Sequence, residues 1–138
     1  MLNLATVLIE SAKETPSKIA FKLGNQEISY QELDKKSNQI AVALVNSGLE
    51  PGEKVALTCP NVLQFPVLYY GILKAGGTVV PLNIMLKPAE INFHLEDSEA
   101  KFYFCFTGTA AIPMLQYAYE AFKKTTLSVM NKTEIYNA

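Results

Sequence analysis

Residues 69–83, YYGILKAGGTVVPLN, decide how this chain folds. The apolar residues at the start of the stretch predict a helix, and Gly76 or Gly77 can adopt the left-handed conformation that ends one. Residues 78–80 are β-formers that predict a short buried strand. Pro81 then limits the hydrogen bonding of that strand. The stretch therefore predicts a helix that runs directly into a strand, as in an α/β domain.

Further elements are predicted on the N-terminal side of this stretch. A helix that is apolar on every side is typically buried, and residues 62–73 have this pattern. The others are a helix from Asn3 that Pro16 ends, a hairpin with its turn at 24–26, a helix from the capping box Ser29–Glu32 to Gly48, and the strand KVALTC at 54–59.

On the C-terminal side, strands and helices continue to alternate. Pro88 suits the first turn of a helix with Ile91 and Leu95 inside, and AKFYFCF at 100–106 reads as a buried strand. A helix over 110–124 and a last strand near 127–130 follow. The predicted fold is therefore one α/β domain over 1–138, with a mostly parallel sheet preceded by a helix and a small hairpin.

Composition and charge exclude several classes of protein. The chain has 138 residues, of which 49% are hydrophobic, so it can form a globular core. Its net charge of -1, with acidic and basic residues interspersed, argues against nucleic-acid binding. The N-terminus lacks a basic region, and the longest apolar run, 65–73, is too short to cross a membrane. We expect a soluble, cytoplasmic protein.

The two cysteines and the single histidine do not have the spacing of a metal site. Cys59 and Cys105 each close an apolar run and form no CxxC motif, which favours buried thiols in a reducing compartment. His94 has no second histidine and no nucleophile at matching spacing, so a surface or boundary position is favoured.

Two glycine-containing turns are candidates for phosphate sites. Gly76 and Gly77 follow a helix and face its negative end, which is the wrong polarity for an anion. Thr107, Gly108 and Thr109 lie after a strand and before a helix, which is the right polarity, but they lack the lysine of a P-loop. A helix N-cap is the preferred interpretation of that turn. The sequence thus predicts no catalytic, cofactor-binding or metal-binding residue.

Two longer stretches resemble a known family. Residues 28–65, ISYQELDKKSNQIAVALVNSGLEPGEKVALTCPNVLQF, and residues 70–101, YGILKAGGTVVPLNIMLKPAEINFHLEDSEAK, are similar to consecutive motifs of the adenylate-forming enzymes. That family includes acyl-CoA synthetases, aryl-acid CoA ligases, luciferases and peptide-synthetase adenylation domains. The resemblance runs from about Asn3 to Phe106, whereas residues 107–138 are a weakly matched tail.

The resemblance implies an enzyme that uses ATP and Mg²⁺ to activate a carboxylic acid as an acyl-adenylate and then passes the acyl group to coenzyme A. The family's triphosphate-binding loop, ribose-binding acid and catalytic lysine lie beyond the stretch that this chain matches. The chain therefore resembles the opening part of a large N-terminal domain that binds no cofactor by itself. The residues that the resemblance marks as scaffold are Tyr30, Leu33, Gly48, Gly52, Pro60, Asn61, Gly76 and Pro81.

Two functional hypotheses follow. In the first, the chain is an inactive portion of an acid:CoA ligase, of fatty-acyl type, whose partner is the remainder of the enzyme. In the second, it is a free-standing binding or assembly module with an exposed apolar face at the helix over 62–73. Self-association, as in a two-fold homodimer, would then cover that face. Lys74 is interpreted as a surface charge under both.

Overall fold

A computed structural model of the protein describes residues 2–123 and the strand at 135–136. The elements are α1 (Ala5–Glu14), β1 (Ile19–Leu23), β2 (Gln26–Ser29), α2 (Tyr30–Asn46), β3 (Lys54–Thr58), α3 (Gln64–Lys74), β4 (Thr78–Pro81), α4 (Pro88–Ser98), β5 (Phe102–Phe106), α5 (Met114–Phe122) and β6 (Ile135–Tyr136). Their alternation confirms the predicted α/β class. The strand predicted near 127–130 lies outside the described residues.

The chain divides into two compact units, Met1–Gly52 with Asn61–Thr78 and Glu53–Pro60 with Val79–Ala138. The first unit holds α1, the hairpin, α2 and α3, and its core contains Leu8, Leu33 and Val67. In the hairpin, Leu23 pairs with Gln26 across a two-residue turn in which Gly24 has φ 58°. The predicted hairpin is therefore confirmed, with its turn at 24–25.

Helix α2 begins as its capping box predicts. The Ser29 hydroxyl accepts a hydrogen bond from the Glu32 amide, and the Glu32 carboxylate accepts one from the Ser29 amide. Buried Ser37 satisfies its hydroxyl within the helix, since it donates to the Leu33 carbonyl at 2.7 Å. Val45, near the end of α2, is exposed.

Helices α2 and α3 approach closely at Gly71. A Cβ added there would lie 2.6 Å from the Ile40 Cβ and 3.1 Å from the Ser37 carbonyl oxygen. Since real Cβ atoms do not approach other carbons so closely, a larger residue at 71 would force the two helices apart. This glycine is therefore required by helix packing.

Lys74 is not the surface charge that the sequence indicated. Its side chain is only 6% exposed, and its ammonium lies 2.6 Å from the Asp34 carboxylate. It also donates to the Asn38 side-chain oxygen at 2.8 Å and to the Asp34 carbonyl at 3.1 Å. The prediction was wrong because it considered only the helix that carries Lys74. Asp34 and Asn38, one turn apart on α2, supply the partners that allow burial of the charge.

The helix-to-strand junction agrees with the sequence at its start and differs in the strand. Gly76 has φ 82° and donates to the Leu73 carbonyl at 3.0 Å, which confirms it as the left-handed residue that ends α3. Strand β4, however, is exposed at Thr78 and Pro81 and only half-buried between them, so the predicted buried strand is wrong. The sheet order β4-β3-β5-β6 explains this exposure, because β4 lies at an edge.

The second unit contains the sheet. Strands β3 and β5 run parallel with Val55 opposite Phe102 and Thr58 opposite Cys105, and β5 and β6 are also parallel. This arrangement confirms the predicted parallel sheet. Helix α4 begins at Pro88 as predicted. One buried cluster joins α4, α5, β3 and β5; its members are Ala56, Ile91, Leu95, Ala100, Tyr103, Cys105, Met114, Ala118 and Ala121.

Helix α5 is shorter than the predicted helix over 110–124. It begins at Met114 because Pro113 disfavours helical backbone at Ile112. The Ile112 carbonyl instead accepts from the Thr109 amide at 2.9 Å, which folds the preceding segment into a turn. Lys124 lies outside the described residues.

The exposed apolar side chains do not lie where the assembly hypothesis requires them. No residue of α3, Gln64–Lys74, is exposed. The large apolar side chains that are exposed in the described part of the chain are Leu2, Leu4, Val7, Ile19, Phe21, Leu23, Val42, Val45, Met85, Phe93 and Tyr119. None of the helices in that part is long and apolar enough to pass through a membrane.

Candidate functional site

The carboxyl end of β5 is the place in the second unit where a ligand site is expected. Ligands of parallel α/β sheets bind beyond the carboxyl ends of the strands. At the end of β5 an open groove of about 600 Å³ lies between the segment 107–110 and helix α5. We take this groove as the candidate site and call it the β5 groove.

One wall of the β5 groove is a tight turn. Gly108 has φ 85°, and a Cβ there would overlap the Ile112 carbonyl oxygen and lie 2.6 Å from the Met114 amide nitrogen. The Thr109 hydroxyl accepts from the Ile112 amide at 3.1 Å, and the Thr107 carbonyl accepts from the Leu115 amide at 3.2 Å. The turn therefore requires glycine for both its backbone angle and its packing.

This geometry corrects the interpretation of the turn as a helix N-cap. The residue before α5 is Pro113, four positions after Thr109, and no side chain caps the helix at that position. The Thr109 hydroxyl instead closes the turn itself. The pattern Thr-Gly-Thr after a strand predicted the turn correctly. It did not predict that helix α5 begins only at Met114.

The other wall of the groove is helix α5. It presents Leu115 and Tyr119 beside Gln116 and Glu120, and Lys123 follows directly after its last residue. The Gln116 side-chain amide donates to the Glu120 carboxylate at 3.1 Å, so these two groups already satisfy each other. The surface that remains is mainly apolar, with a carboxylate and an ammonium at its edge. Such a surface can hold an apolar group, but these side chains provide no general base next to a nucleophile.

The hydroxyl and thiol groups within and just beyond β3 and β5 belong to the interior. The Thr58 and Tyr103 hydroxyls lie 2.6 Å apart, and both side chains are buried. Burial raises the pKa of the Tyr103 hydroxyl well above its usual range. Burial likewise raises the pKa of Cys59 and of Cys105 to about 11, so both thiols stay protonated at neutral pH. Both cysteines are free and buried, as predicted.

The remaining sequence candidates are structural in this geometry. His94 is half-buried, and its ring packs edge-on against Phe93 with the centroids 5.5 Å apart. Within residues 2–123, no three histidine, cysteine or acidic side chains come close enough together to hold a metal ion. The Gly76 amide donates to the Leu73 carbonyl, so this glycine belongs to the end of α3.

The residues that the resemblance marks as scaffold lie in several places. Gly48, Gly52 and Gly76 all have left-handed backbone, with φ of 93°, 85° and 82°. The Gly52 amide donates to the Gly76 carbonyl at 2.8 Å, a link within the first unit that the sequence analysis missed. Leu33 is buried, Tyr30 and Pro60 are half-buried, and Asn61 and Pro81 are exposed.

The comparison with protein families identifies the chain. The model of the family described as "AMP-binding enzyme" matches residues 8–136. The chain belongs to the AMP-binding enzyme family.

Two curated relatives illustrate the range of this family. Tyrocidine synthase 3 of Brevibacillus parabrevis is 39% identical over 92 residues, which is 67% of this chain and 1% of that protein. A medium/long-chain-fatty-acid and 3-oxocholest-4-en-26-oate CoA ligase of Mycobacterium marinum is 28% identical over 98 residues, which is 71% of this chain and 18% of that protein.

Solved structures of AMP-binding enzymes have the same fold. A Mycobacterium tuberculosis fatty acyl CoA synthetase superposes on 99% of this chain and 26% of its own length, with a TM-score of 0.80 and 26% identity. The described fold therefore matches the N-terminal part of adenylate-forming enzymes. The chain spans less than a fifth of the two curated relatives and about a quarter of this solved chain.

Proposed function

We propose that this chain is the N-terminal scaffold of an ATP-dependent carboxylic acid:CoA ligase that acts on fatty acids. The enzyme would use ATP and Mg²⁺ to convert the acid to an acyl-adenylate and would then transfer the acyl group to coenzyme A. The observation that carries the proposal is the superposition of nearly the whole chain on a fatty acyl CoA synthetase. The relative from Mycobacterium marinum, whose name includes fatty acids as substrates, supports the same reaction class.

The chain's own contribution would be structural. Its buried polar groups are already paired with each other, as in the contacts of Lys74 with Asp34 and of Thr58 with Tyr103. Among the residues that the structure describes, the β5 groove has an ammonium only at Lys123, whereas a triphosphate needs several converging cations or amides. We therefore propose that the 138-residue chain neither binds ATP tightly nor forms acyl-adenylate by itself, and that the remainder of the enzyme holds ATP, Mg²⁺ and coenzyme A.

A second candidate substrate class is supported by a specific observation. Tyrocidine synthase 3 is 39% identical to this chain and tyrocidine synthase 1 is 34% identical, so both exceed the 28% identity of the fatty-acid CoA ligase. The relatives of this chain thus include adenylation domains of peptide synthetases. Under this alternative the acid that is activated is an amino acid, and the acceptor is a thiol other than that of coenzyme A. The overall fold does not separate the two alternatives, since a scaffold region need not contact the acid.

Acid-dependent exchange of pyrophosphate into ATP distinguishes these alternatives. The assay is run on the protein isolated from its host and on the 138-residue chain, with a panel of fatty acids and a panel of amino acids. Exchange that depends on fatty acids in the host protein supports the proposal. Exchange that depends on amino acids supports the peptide-synthetase alternative. Exchange catalysed by the 138-residue chain alone would overturn the scaffold role.

Calorimetric titration of the same chain with ATP and Mg²⁺ tests the site itself. We expect no heat of binding at micromolar ligand. If heat is observed, two variants locate its source. Thr109→Ala removes a hydroxyl of the β5 groove, and Thr6→Ala removes a hydroxyl of the first unit as the control. Loss of heat in the first variant alone would assign the nucleotide to the groove and contradict our proposal.

Self-association is also part of the proposal. Exposed apolar side chains such as Phe21 and Val42 favour a homodimer when the remainder of the enzyme is not present to cover them. Light scattering at several concentrations measures the mass, and a monomer at all of them would refute this. We also propose a cytoplasmic location, which the free, buried thiols of Cys59 and Cys105 support.

A further inference from the structure

We draw no further inference here: the strongest candidate, the apolar groove between the β1–β2 hairpin and residues 61–66, is lined by the exposed side chains of Phe21 and Leu23, but nothing in the structure shows what covers it.

Discussion

Gly108→Ala should destabilise the β5 groove more than the same substitution at any open glycine turn. Two costs add at this position. Left-handed backbone costs a residue with a Cβ about 1–2 kcal/mol. The new Cβ would also overlap the Ile112 carbonyl oxygen and lie 2.6 Å from the Met114 amide nitrogen. Because both neighbours are backbone atoms, they cannot rotate away, and overpacking of this kind adds about 1–3 kcal/mol. We expect a total loss of about 2–5 kcal/mol in the free energy of unfolding.

Gly52→Ala is the matched control, because Gly52 has the same φ of 85° and no atom within 4 Å of the added Cβ. It should lose only the backbone cost, about 1–2 kcal/mol. Urea unfolding followed by circular dichroism gives both values. Hydrogen exchange locates the effect, since the Leu115 amide, which donates to the Thr107 carbonyl, should exchange faster in the Gly108 variant alone. Equal losses of stability in the two variants would refute the overlap argument.

Three further substitutions or conditions test other parts of the structure. Lys74→Met should cost about 1–3 kcal/mol in urea unfolding, because it leaves the partly buried Asp34 carboxylate unpaired. Lys13→Met, which removes an exposed ion pair with Glu10, should leave the unfolding midpoint unchanged. Equal effects would show that Lys74 is not buried as described. Glu99→Gly should raise the midpoint of thermal unfolding, because Glu99 has φ 53°, and the gain should be about 0.5–1 kcal/mol. Glu99→Ala removes the same charge without relaxing the backbone, so an equal gain there would assign the effect to charge. The pKa of about 11 at Cys59 and Cys105 lies above the ordinary 9.0, so the folded state keeps protons that the unfolded state loses. Their contribution to stability is therefore complete below pH 9 and is lost as the pH rises through 9 to 11. The double variant with alanine at both positions should show a shallower loss of stability over this range, and an identical slope would contradict the assignment.

Most of the elements could be predicted because their signals are local. The capping box of Ser29 with Glu32, the left-handed Gly76 and the helix start at Pro88 each depend on contacts within a few residues. Such contacts form whatever the rest of the chain does, so a short stretch of sequence contains the whole cause. The parallel sheet followed from the alternation of strands and helices, which is a rule of connection and not of side-chain detail.

Most of the errors concern contacts between distant or folded-back segments. The late start of α5 is different, because it follows from Pro113, a local signal that the helix prediction over 110–124 did not use. Lys74 is buried because α2 supplies Asp34, 40 positions earlier, and the pattern of α3 alone contains no sign of it. Strand β4 has the composition of a buried strand, yet it lies at an edge, which only the order of the sheet decides. The turn from Thr107 to Thr109 lies after a strand and has the polarity of a ligand site, although the sequence favoured a helix N-cap there. Its shape depends on the way Ile112 folds back, which no periodicity indicates.

The partners of the buried polar groups support the scaffold role that we propose. Ser37 donates within its own helix, Thr58 pairs with Tyr103, and the ammonium of Lys74 makes its three hydrogen bonds inside the first unit. A group whose hydrogen bonds are complete gains little from a ligand, because the ligand must first displace a partner of equal strength. A site prepared for a polar ligand instead keeps donors oriented toward the space that the ligand will occupy. The hydrogen bonds of these polar side chains all lie within their own units. Their chemistry therefore stabilises the fold, which supports the scaffold role that we propose.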